Sequence, residues 1–307
     1  MIITQCFSGK TSKEEESIHD CQDAFQITKN CFAIADGASQ SLYPNIWADM
    51  LVKHFCEYPN ITNDNWQNWL KPIQDKFLID VQKKIQIAKE QNNPSWFFNN
   101  KKLTEKKQPA ASTFVGVELK ENELNIAMVG DSCMFIWQDN KLVRSMPYSK
   151  STDFDCFPEY LASFEKDNKY QPQFIHYPIP KGKETYCVLT TDAFAKYILA
   201  HIEAEENIFE ILINISNQSQ FEEIVAIARN SKTIKLENDD VALIVVKFSE
   251  GNNTIEIKTN QDEIIEKTFI KKNKRLSTFF ICCIIFFCLL LGAVLLCLIV
   301  KDGNDTT

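Results

Sequence analysis

Short apolar strands that begin or end at an aspartate are the feature that most limits the folds available to this 307-residue chain. Alternating apolar residues and turn residues predict three hairpins, formed by 25–28 with 31–35, 113–119 with 124–129, and 135–138 with 141–144. Further apolar strands are predicted at 186–190 and 241–248. Helical spacing of apolar residues predicts helices at 46–58, 73–90, 193–202, 208–215 and 221–228. This order of elements predicts an α+β fold in which stacked sheets are covered by helices.

Two segments between the strands carry large aromatic residues and receive different interpretations. The helix at 46–58 contains Trp47 and Phe55 on its apolar side, so it is predicted to belong to the core rather than to a partner-binding surface. The segment 91–108 is rich in Asn, Lys and Gln and is predicted to be an exposed loop.

An aspartate lies at the edge of each of five predicted strands. A single aspartate in such a place is commonplace, because Asp caps helices and opens turns. Together, the strand ends could form one acidic cleft, and carboxylates crowded there repel one another unless cations neutralise them. Carboxylates, a backbone carbonyl and water suit magnesium or manganese. The residues concerned are Asp23, Asp36, Asp131, Asp192 and the adjacent pair Asp239 and Asp240.

Six short motifs in a fixed order carry a resemblance to a known family. They read CQDAF from Cys21, CFAIADGAS from Cys31, ASTFVGVEL, ELNIAMVGDSCMFIW, YCVLTTDAFAKYI and NDDVALIVVKF. In this order the chain resembles the metal-dependent protein phosphatases, the type 2C serine/threonine phosphatases, over roughly residues 3–248. The CQDAF and ADGAS forms are most similar to the bacterial-type branch. The resemblance implies an α-β-β-α sandwich of two antiparallel sheets flanked by helices.

The resemblance also implies a role for each matching residue. Asp36 would bridge two Mn²⁺ or Mg²⁺ ions, and the Gly37 carbonyl would bind one of them. Asp192 and Asp239 would hold the other ion, while Asp131 would match a weak third site. Asp23 would orient metal-bound water, so Asp36 and Asp23 are the candidate catalytic residues. A bridging water that has lost a proton would then hydrolyse phosphoserine or phosphothreonine on a protein substrate.

Several positions depart from the family pattern. Ile18 stands where an arginine often grips the substrate phosphate, and His19, Lys10 or Lys13 could replace that arginine. The family's common glutamate before the first Asp is Gln22, which would hydrogen-bond a metal-bound water without charge. The remaining departures are Ala38 in place of a histidine and Ala193 in place of a glycine.

These departures leave two alternatives to an active phosphatase. One is a catalytically silent relative that acts as a membrane-tethered, phosphoprotein-binding scaffold. The other is a membrane-anchored metal-binding module without phosphate chemistry. Other phosphatase chemistries fit poorly, because none of the eleven cysteines has an arginine six residues later and the four histidines are scattered.

Bulk composition excludes some partners and compartments. The formal net charge of −8 disfavours nucleic acid as a partner. The cysteines form no CxxC pair among the first seven, which disfavours a zinc ribbon, and their spacing favours free thiols in a reducing compartment. The first residues, MIITQCFSGK, lack the pattern of a signal peptide.

A charge-free apolar run at 277–300 is the strongest single targeting signal. The run is long enough to cross a hydrocarbon core of about 30 Å as a helix. Four basic residues precede the run within 271–275 and one follows it, so the positive-inside rule predicts a cytosolic N-terminal side. The sequence therefore predicts a single-pass, tail-anchored membrane protein with a cytosolic phosphatase domain at 1–250. A juxtamembrane linker at 251–276 and a short tail at 301–307 complete the predicted organisation.

Overall fold

The fold was analysed in a computed structural model, which describes residues 1–155 and 157–250. The described residues form twelve strands, namely β1 (Ile2–Thr11), β2 (Ala24–Ile27), β3 (Cys31–Ala35), β4 (Ala111–Ser112), β5 (Phe114–Lys120), β6 (Glu123–Val129), β7 (Cys133–Gln138), β8 (Lys141–Met146), β9 (Leu161–Ala162), β10 (Gln173–Pro178), β11 (Thr185–Thr190) and β12 (Val241–Ser249). They also form six α-helices, namely α1 (Pro44–Glu57), α2 (Trp66–Glu90), α3 (Ser95–Thr104), α4 (Asp192–Glu203), α5 (Ile208–Ile213) and α6 (Gln218–Arg229).

The strands form two five-stranded antiparallel sheets and one small pair. The first sheet has the order β1-β12-β11-β7-β8, and the second has the order β10-β6-β5-β3-β2. The short strands β4 and β9 pair with each other. In the first sheet, β1 pairs with β12 at the other end of the described chain, so that Ile2 lies opposite Ser249.

Three apolar clusters show that the sheets and helices form four layers. One cluster lies between the two sheets and includes Ile34 and Met128 from one sheet with Met134 and Ile244 from the other. A second cluster joins α1 and α2 to the outer face of the second sheet. A third joins α4, α5 and α6 to the outer face of the first sheet. The predicted α-β-β-α arrangement is confirmed for the described residues.

Strand β3 shows why the central strands lack a polar side. Successive side chains of a strand point to opposite faces, and both faces of this strand are covered. Phe32 and Ile34 belong to the cluster between the sheets, while Cys31, Ala33 and Ala35 belong to the cluster under the helices. All five residues are buried, so the strand reads as a continuous apolar run.

The predicted hairpins and helices are confirmed, but the prediction of a loop at 91–108 is wrong. Residues Ser95–Thr104 form α3, which follows Pro94 at its N-cap. Trp96 and Leu103 pack partly buried against the cluster under the helices, and the Lys89 ammonium lies 5.4 Å from the Trp96 ring centre. The helix buries none of its residues fully, and it therefore lacks the apolar stripe that would have predicted it.

Strands β1, β4, β9 and β10 were not predicted. In β1, the buried Ile3 and Phe7 are separated by Thr4, Gln5 and Cys6, and the second half of the strand contains Gly9 and polar residues. Its apolar pattern is therefore weak. Among the described residues, strand β10 pairs only with β6, and its side chains are half-buried or exposed. Edge strands need apolar residues on one face alone, and that weakens their sequence signal.

The described cysteines carry free thiols. Burial raises the pKa of the Cys6 thiol to about 12, and it raises the pKa of the Cys133 thiol further above its ordinary value. These thiols therefore stay protonated and pack as small apolar groups.

No helix in residues 1–155 and 157–250 has the length and apolar character needed to cross a membrane. The predicted span at 277–300, the linker at 251–276 and the tail at 301–307 lie outside the described residues.

Replacement of Gln74 by methionine is predicted to destabilise the domain by about 1 kcal/mol. The buried Gln74 amide donates to the Ala162 carbonyl at 3.0 Å, and methionine of similar size would remove that bond and leave the carbonyl with the Asn168 amide at 2.8 Å as its side-chain donor. Urea unfolding followed by tryptophan fluorescence measures the change. The control is Gln86→Met in the same helix, where an exposed amide donates to Glu90, and it should cost no more than about 0.5 kcal/mol. Equal effects of the two substitutions would contradict the prediction.

Candidate metal centre

Asp36 directly follows β3 and has a firmly held backbone. Its carbonyl accepts hydrogen bonds from the Thr113 N–H at 2.9 Å and from the Ser112 hydroxyl at 2.7 Å. Its own N–H donates to the Thr113 hydroxyl at 3.3 Å. Ser112 and Thr113 belong to the ASTF motif, so that motif fixes the position of the Asp36 backbone.

The helices reach Asp36 through the small β4–β9 pair. The indole N–H of Trp47 in α1 donates to the Leu161 carbonyl at 2.9 Å, next to the Gln74 bond from α2. Strand β9 pairs with β4, which contains Ser112. Helix packing is thereby transmitted to the backbone of Asp36.

Gly37 allows the chain to pass through a crowded place. A Cβ atom there would lie 2.8 Å from the Gln22 carbonyl oxygen and 2.8 Å from Pro44. No side chain fits at such distances without movement of backbone. The structure therefore gives a steric reason for glycine beside Asp36 that is separate from any contact with an ion.

Asp23 is almost fully buried beside the start of α4. Its Oδ2 accepts a hydrogen bond from the Thr191 hydroxyl at 2.8 Å. The Lys10 ammonium donates to the Asp23 backbone carbonyl at 2.6 Å. The Thr191 bond thus joins the Asp23 carboxylate to the motif that contains Asp192.

Asp192 and Asp239 lie at a helix start and before a strand, respectively. Asp192 is the first residue of α4, and its Oδ1 accepts from the Ala193 N–H at 2.6 Å. A carboxylate there is favoured by the helix dipole. Asp239 precedes β12, and its Oδ1 forms an ion pair with the Lys13 ammonium at 3.0 Å.

Asp131 follows Gly130, whose backbone conformation is one that glycine adopts readily and other residues rarely adopt. Gly130 has φ of +90°, and a Cβ atom there would lie 2.5 Å from the Glu159 carbonyl oxygen. Asp131 is buried, and its Oδ1 accepts no hydrogen bond from any residue that the structure describes. The next residue, Ser132, shares a 2.6 Å hydrogen bond with Thr113.

The five carboxylates act on one another electrostatically. Burial raises the pKa of Asp36 well above its ordinary range, and the charges of Asp23, Asp192, Asp131 and Asp239 raise it further. Burial also raises the pKa of Asp131 to about 7, with Asp192 as the next cause. Burial and the charge of Asp239 raise the pKa of Asp192 to about 6. The structure thus brings all five predicted aspartates into one acidic region.

This region fits a divalent cation in its donor chemistry. All its donors are hard oxygens, and one buried oxygen, Asp131 Oδ1, lacks a donor in the described residues. In the same residues, no group of three His, Cys, Asp or Glu side chains has the arrangement of a formed metal site. Asp36, Asp192 and Asp239 therefore do not form a three-carboxylate site in this structure, and sharing one ion would require their side chains to move closer together.

Sequence reasoning placed Asp240 in the acidic cleft without an individual role and did not identify Arg229. The buried Asp240 carboxylate accepts from the Lys13 N–H at 3.0 Å and from the Gln22 N–H at 2.8 Å. Arg229 donates to the Ser12 carbonyl at 3.1 Å and to the Asp239 carbonyl. The adjacent Asp pair at the start of β12 was a visible signal for Asp240. Arg229 gave no signal, because its partners lie far away in sequence.

The three basic residues proposed to replace the missing arginine make different contacts in the structure. Lys10 is engaged by the Asp23 carbonyl, and His19 is exposed with its N–H on the Ser17 hydroxyl. Lys13 alone of the three contacts a predicted metal ligand, Asp239. The Gln22 amide oxygen, expected near a metal-bound water, accepts from the Ser39 hydroxyl at 2.6 Å.

Without added metal, the protein is predicted to lose thermal stability as the pH rises from about 4 to about 7. Asp131 has an ordinary pKa of 3.8 and a raised value of about 7 in the fold, so the folded state holds its proton more strongly. Stability from this group is present at low pH and is lost as the pH rises towards the raised value. Melting in EDTA should show a drop of several degrees, since one pKa unit corresponds to about 1.4 kcal/mol.

Asp131→Asn should reduce that drop, because asparagine stays neutral throughout. The control is Asp139→Asn at an exposed turn, where the carboxylate pairs with Lys183 at 3.5 Å. Added Mn²⁺ should raise the melting temperature most at high pH. A pH slope that is the same in Asp131→Asn as in the unaltered protein would refute the prediction.

Comparisons with known proteins were made for sequence and for structure. No family model matches the sequence, and no curated protein matches it either. Solved structures do match. The serine/threonine phosphatase PstP/Ppp of Mycobacterium tuberculosis is 10% identical, with a TM-score of 0.50, over 81% of this chain and 100% of that one.

Two further solved structures match over similar lengths. The catalytic domain of PstP in complex with 2 manganese ions is 10% identical, with a TM-score of 0.51, over 81% of this chain and 100% of that one. PppA, described as a key regulatory component of T6SS in Pseudomonas aeruginosa, is 11% identical, with a TM-score of 0.51, over 81% and 100% of the two chains. The chain therefore has the fold of the bacterial type 2C serine/threonine phosphatases.

Proposed function

We propose that this protein is a metal-dependent phosphatase that hydrolyses phosphoserine or phosphothreonine on protein substrates. The observation that carries the proposal is the convergence of five aspartates from separate strand ends on one partly buried acidic region. The same fold occurs in serine/threonine phosphatases, one of them solved with manganese, and this similarity supports the choice of reaction.

Each aspartate of the acidic region is proposed to have a separate role. Asp36 and the Gly37 carbonyl would hold one ion, with Asp36 shared by a second ion at Asp192 and Asp239. Two bound Mn²⁺ or Mg²⁺ ions would supply a nucleophile at neutral pH and neutralise phosphoryl oxygens. Asp131 offers an additional oxygen for a weak third ion. Asp23, which accepts a hydrogen bond from Thr191, would orient water beside the ligands.

Lys13 is the proposed replacement for the phosphate-binding arginine. Its ammonium already lies 3.0 Å from Asp239, within the acidic region. If Asp239 held a divalent ion, the Lys13 ammonium would be available for a phosphate oxygen of the substrate. A lysine would bind that oxygen as a point charge rather than through a bidentate fork.

The proposal includes action at a membrane surface. It is supported by the apolar run at 277–300 and by the basic residues before it. The domain at 1–250 would then lie on the cytosolic side, where anchoring raises the local concentration of membrane-bound phosphoproteins.

Phosphate release from a phosphothreonine peptide is expected to require Mn²⁺ or Mg²⁺ and to stop in EDTA. The double variant Asp36→Asn, Asp239→Asn should release no more phosphate than the buffer, because each substitution removes a charged ligand. The control is Asp49→Asn, which removes an exposed carboxylate that pairs with Lys53 in α1 and should retain full activity.

Equal background release from the unaltered protein and the double variant would contradict the enzymatic proposal. Retained binding of the phosphopeptide would then favour the silent scaffold, which the departures Ile18 and Ala38 suggest. Metal binding without any competition from a phosphate analogue would favour the simple metal-binding module.

Lys13→Met is predicted to raise KM for the phosphopeptide about tenfold while changing kcat little, because a charged hydrogen bond to bound substrate is lost. Mn²⁺ binding, measured by calorimetry, should become tighter, since a competing positive charge leaves Asp239. The control is Lys29→Met at the exposed β2–β3 turn. Weaker Mn²⁺ binding, or an unchanged KM, would show that Lys13 does not bind the substrate.

A further inference from the structure

A lysine-rich surface with exposed aromatic residues lies on the helical hairpin formed by the second half of α2 and by α3. Residues 76–107 contain eight lysines and three acidic residues, in a chain whose formal net charge is −8. This local excess of positive charge is opposite in sign to the rest of the protein. None of the residues given a role at the acidic region lies within this segment.

Large apolar side chains project from the same surface. Phe97 and Phe98 are 53% and 65% exposed, and Ile87 near the end of α2 is 50% exposed. The Trp96, Phe97 and Phe98 rings form a contiguous group, with centre distances of 5.8 and 5.7 Å between neighbours. Side chains of this size rarely lie exposed together without a partner.

The hairpin holds these rings in a fixed orientation. Asn99 donates to the Tyr43 hydroxyl at 3.0 Å, and the Lys102 ammonium donates to the Ser41 carbonyl at 3.2 Å. These contacts attach the inner side of α3 to the loop before α1. Phe97 and Phe98 therefore face outward because the opposite side of the helix is engaged.

Several lysines around the rings remain available for an anionic partner. Lys83, Lys84, Lys106 and Lys107 are exposed and form no ion pair with any residue that the structure describes. Lys101 is paired only loosely, with its ammonium 3.9 Å from Glu105. Exposed aromatic rings beside free lysines are typical of protein surfaces that enter the headgroup region of a bilayer.

We propose that the α2–α3 hairpin docks on an anionic lipid surface, with Phe97 and Phe98 in the headgroup region and the lysines on lipid phosphates. Two observations favour a bilayer over nucleic acid or an acidic protein. The aromatic pair supplies apolar area that a polyanion does not need, and the same chain carries the apolar run at 277–300. A linker of 26 residues could extend roughly 85 Å, so it does not restrict which face of the domain meets the bilayer.

The docking proposal is independent of catalysis. A protein without phosphatase activity could still bind lipid through this surface, and an active phosphatase could lack the contact. The two proposals therefore fail separately, because one is measured by phosphate release and the other by lipid contact.

Hydrogen–deuterium exchange of the full chain in nanodiscs tests the contact. Discs of phosphatidylcholine alone are compared with discs that also contain phosphatidylglycerol, at low and high salt. Deuterium uptake by residues 95–104 should be slower in the anionic discs, and 0.5 M NaCl should weaken the protection, because salt screens the lysines. The double variant Phe97→Ser, Phe98→Ser should lose the protection.

The matched control is Ile227→Ser in α6, which removes an apolar side chain that is 65% exposed on the other side of the fold. It should keep the protection seen in the unaltered protein. If the full chain does not insert into discs, flotation with vesicles of the same two compositions measures the same contact. In flotation, each of Lys83→Gln and Lys84→Gln should lower affinity for the anionic vesicles about fivefold.

Equal deuterium uptake in the two kinds of disc, or equal flotation with the two kinds of vesicle, would overturn the proposal. So would full protection in the Phe97→Ser, Phe98→Ser variant. Protection by heparin in solution that is insensitive to the aromatic substitutions would assign the surface to a soluble polyanion instead.

Discussion

The packing of two antiparallel sheets against each other is the constraint on which the rest of the structure depends. The cluster between the sheets is almost wholly apolar, so polar groups of the strands are displaced to the ends. Strand ends from both sheets then meet at one edge, where loops and helix starts carry the aspartates. Asp36 follows a strand of one sheet, while Asp192 and Asp239 adjoin strands of the other. The acidic region is thus a consequence of stacking the two sheets in this order.

The acidic region also lowers the stability of the metal-free fold. Burial and mutual repulsion raise the pKa of Asp36 and Asp131, so the charged forms are disfavoured in the metal-free protein. The surrounding contacts hold the carboxylates in place despite that repulsion, through Thr113 on the Asp36 backbone and Thr191 on the Asp23 side chain. A bound divalent ion would reverse the sign of the interaction. Sites that conflict with stability in this way are commonly functional.

Local pattern was enough to predict most elements and the aspartates, but it could not supply the long-range contacts. The hairpin at Lys29 and Asn30 is visible because its turn and both strands are adjacent in sequence. The β1–β12 pairing joins residues more than two hundred positions apart, and nothing in β1 identifies its partner. Helix α3 was mistaken for a loop because its apolar residues do not lie on one buried face: Phe97 and Phe98 are exposed, and none of its residues is fully buried. Asp240 gained an individual role, and Lys13 was distinguished from Lys10 and His19, only when folding brought residues near 13 and 240 together.

The position of β12 has a mechanical consequence. This strand is hydrogen-bonded to β1 on one side and to β11 on the other, and it is the last element before residue 250. Ladder hydrogen bonds run across the strands, so a pull along the strand axis loads both ladders in shear rather than opening them one bond at a time. A tension applied through the chain beyond residue 250 would therefore meet an interior strand, which resists extraction better than a strand at the edge of the sheet.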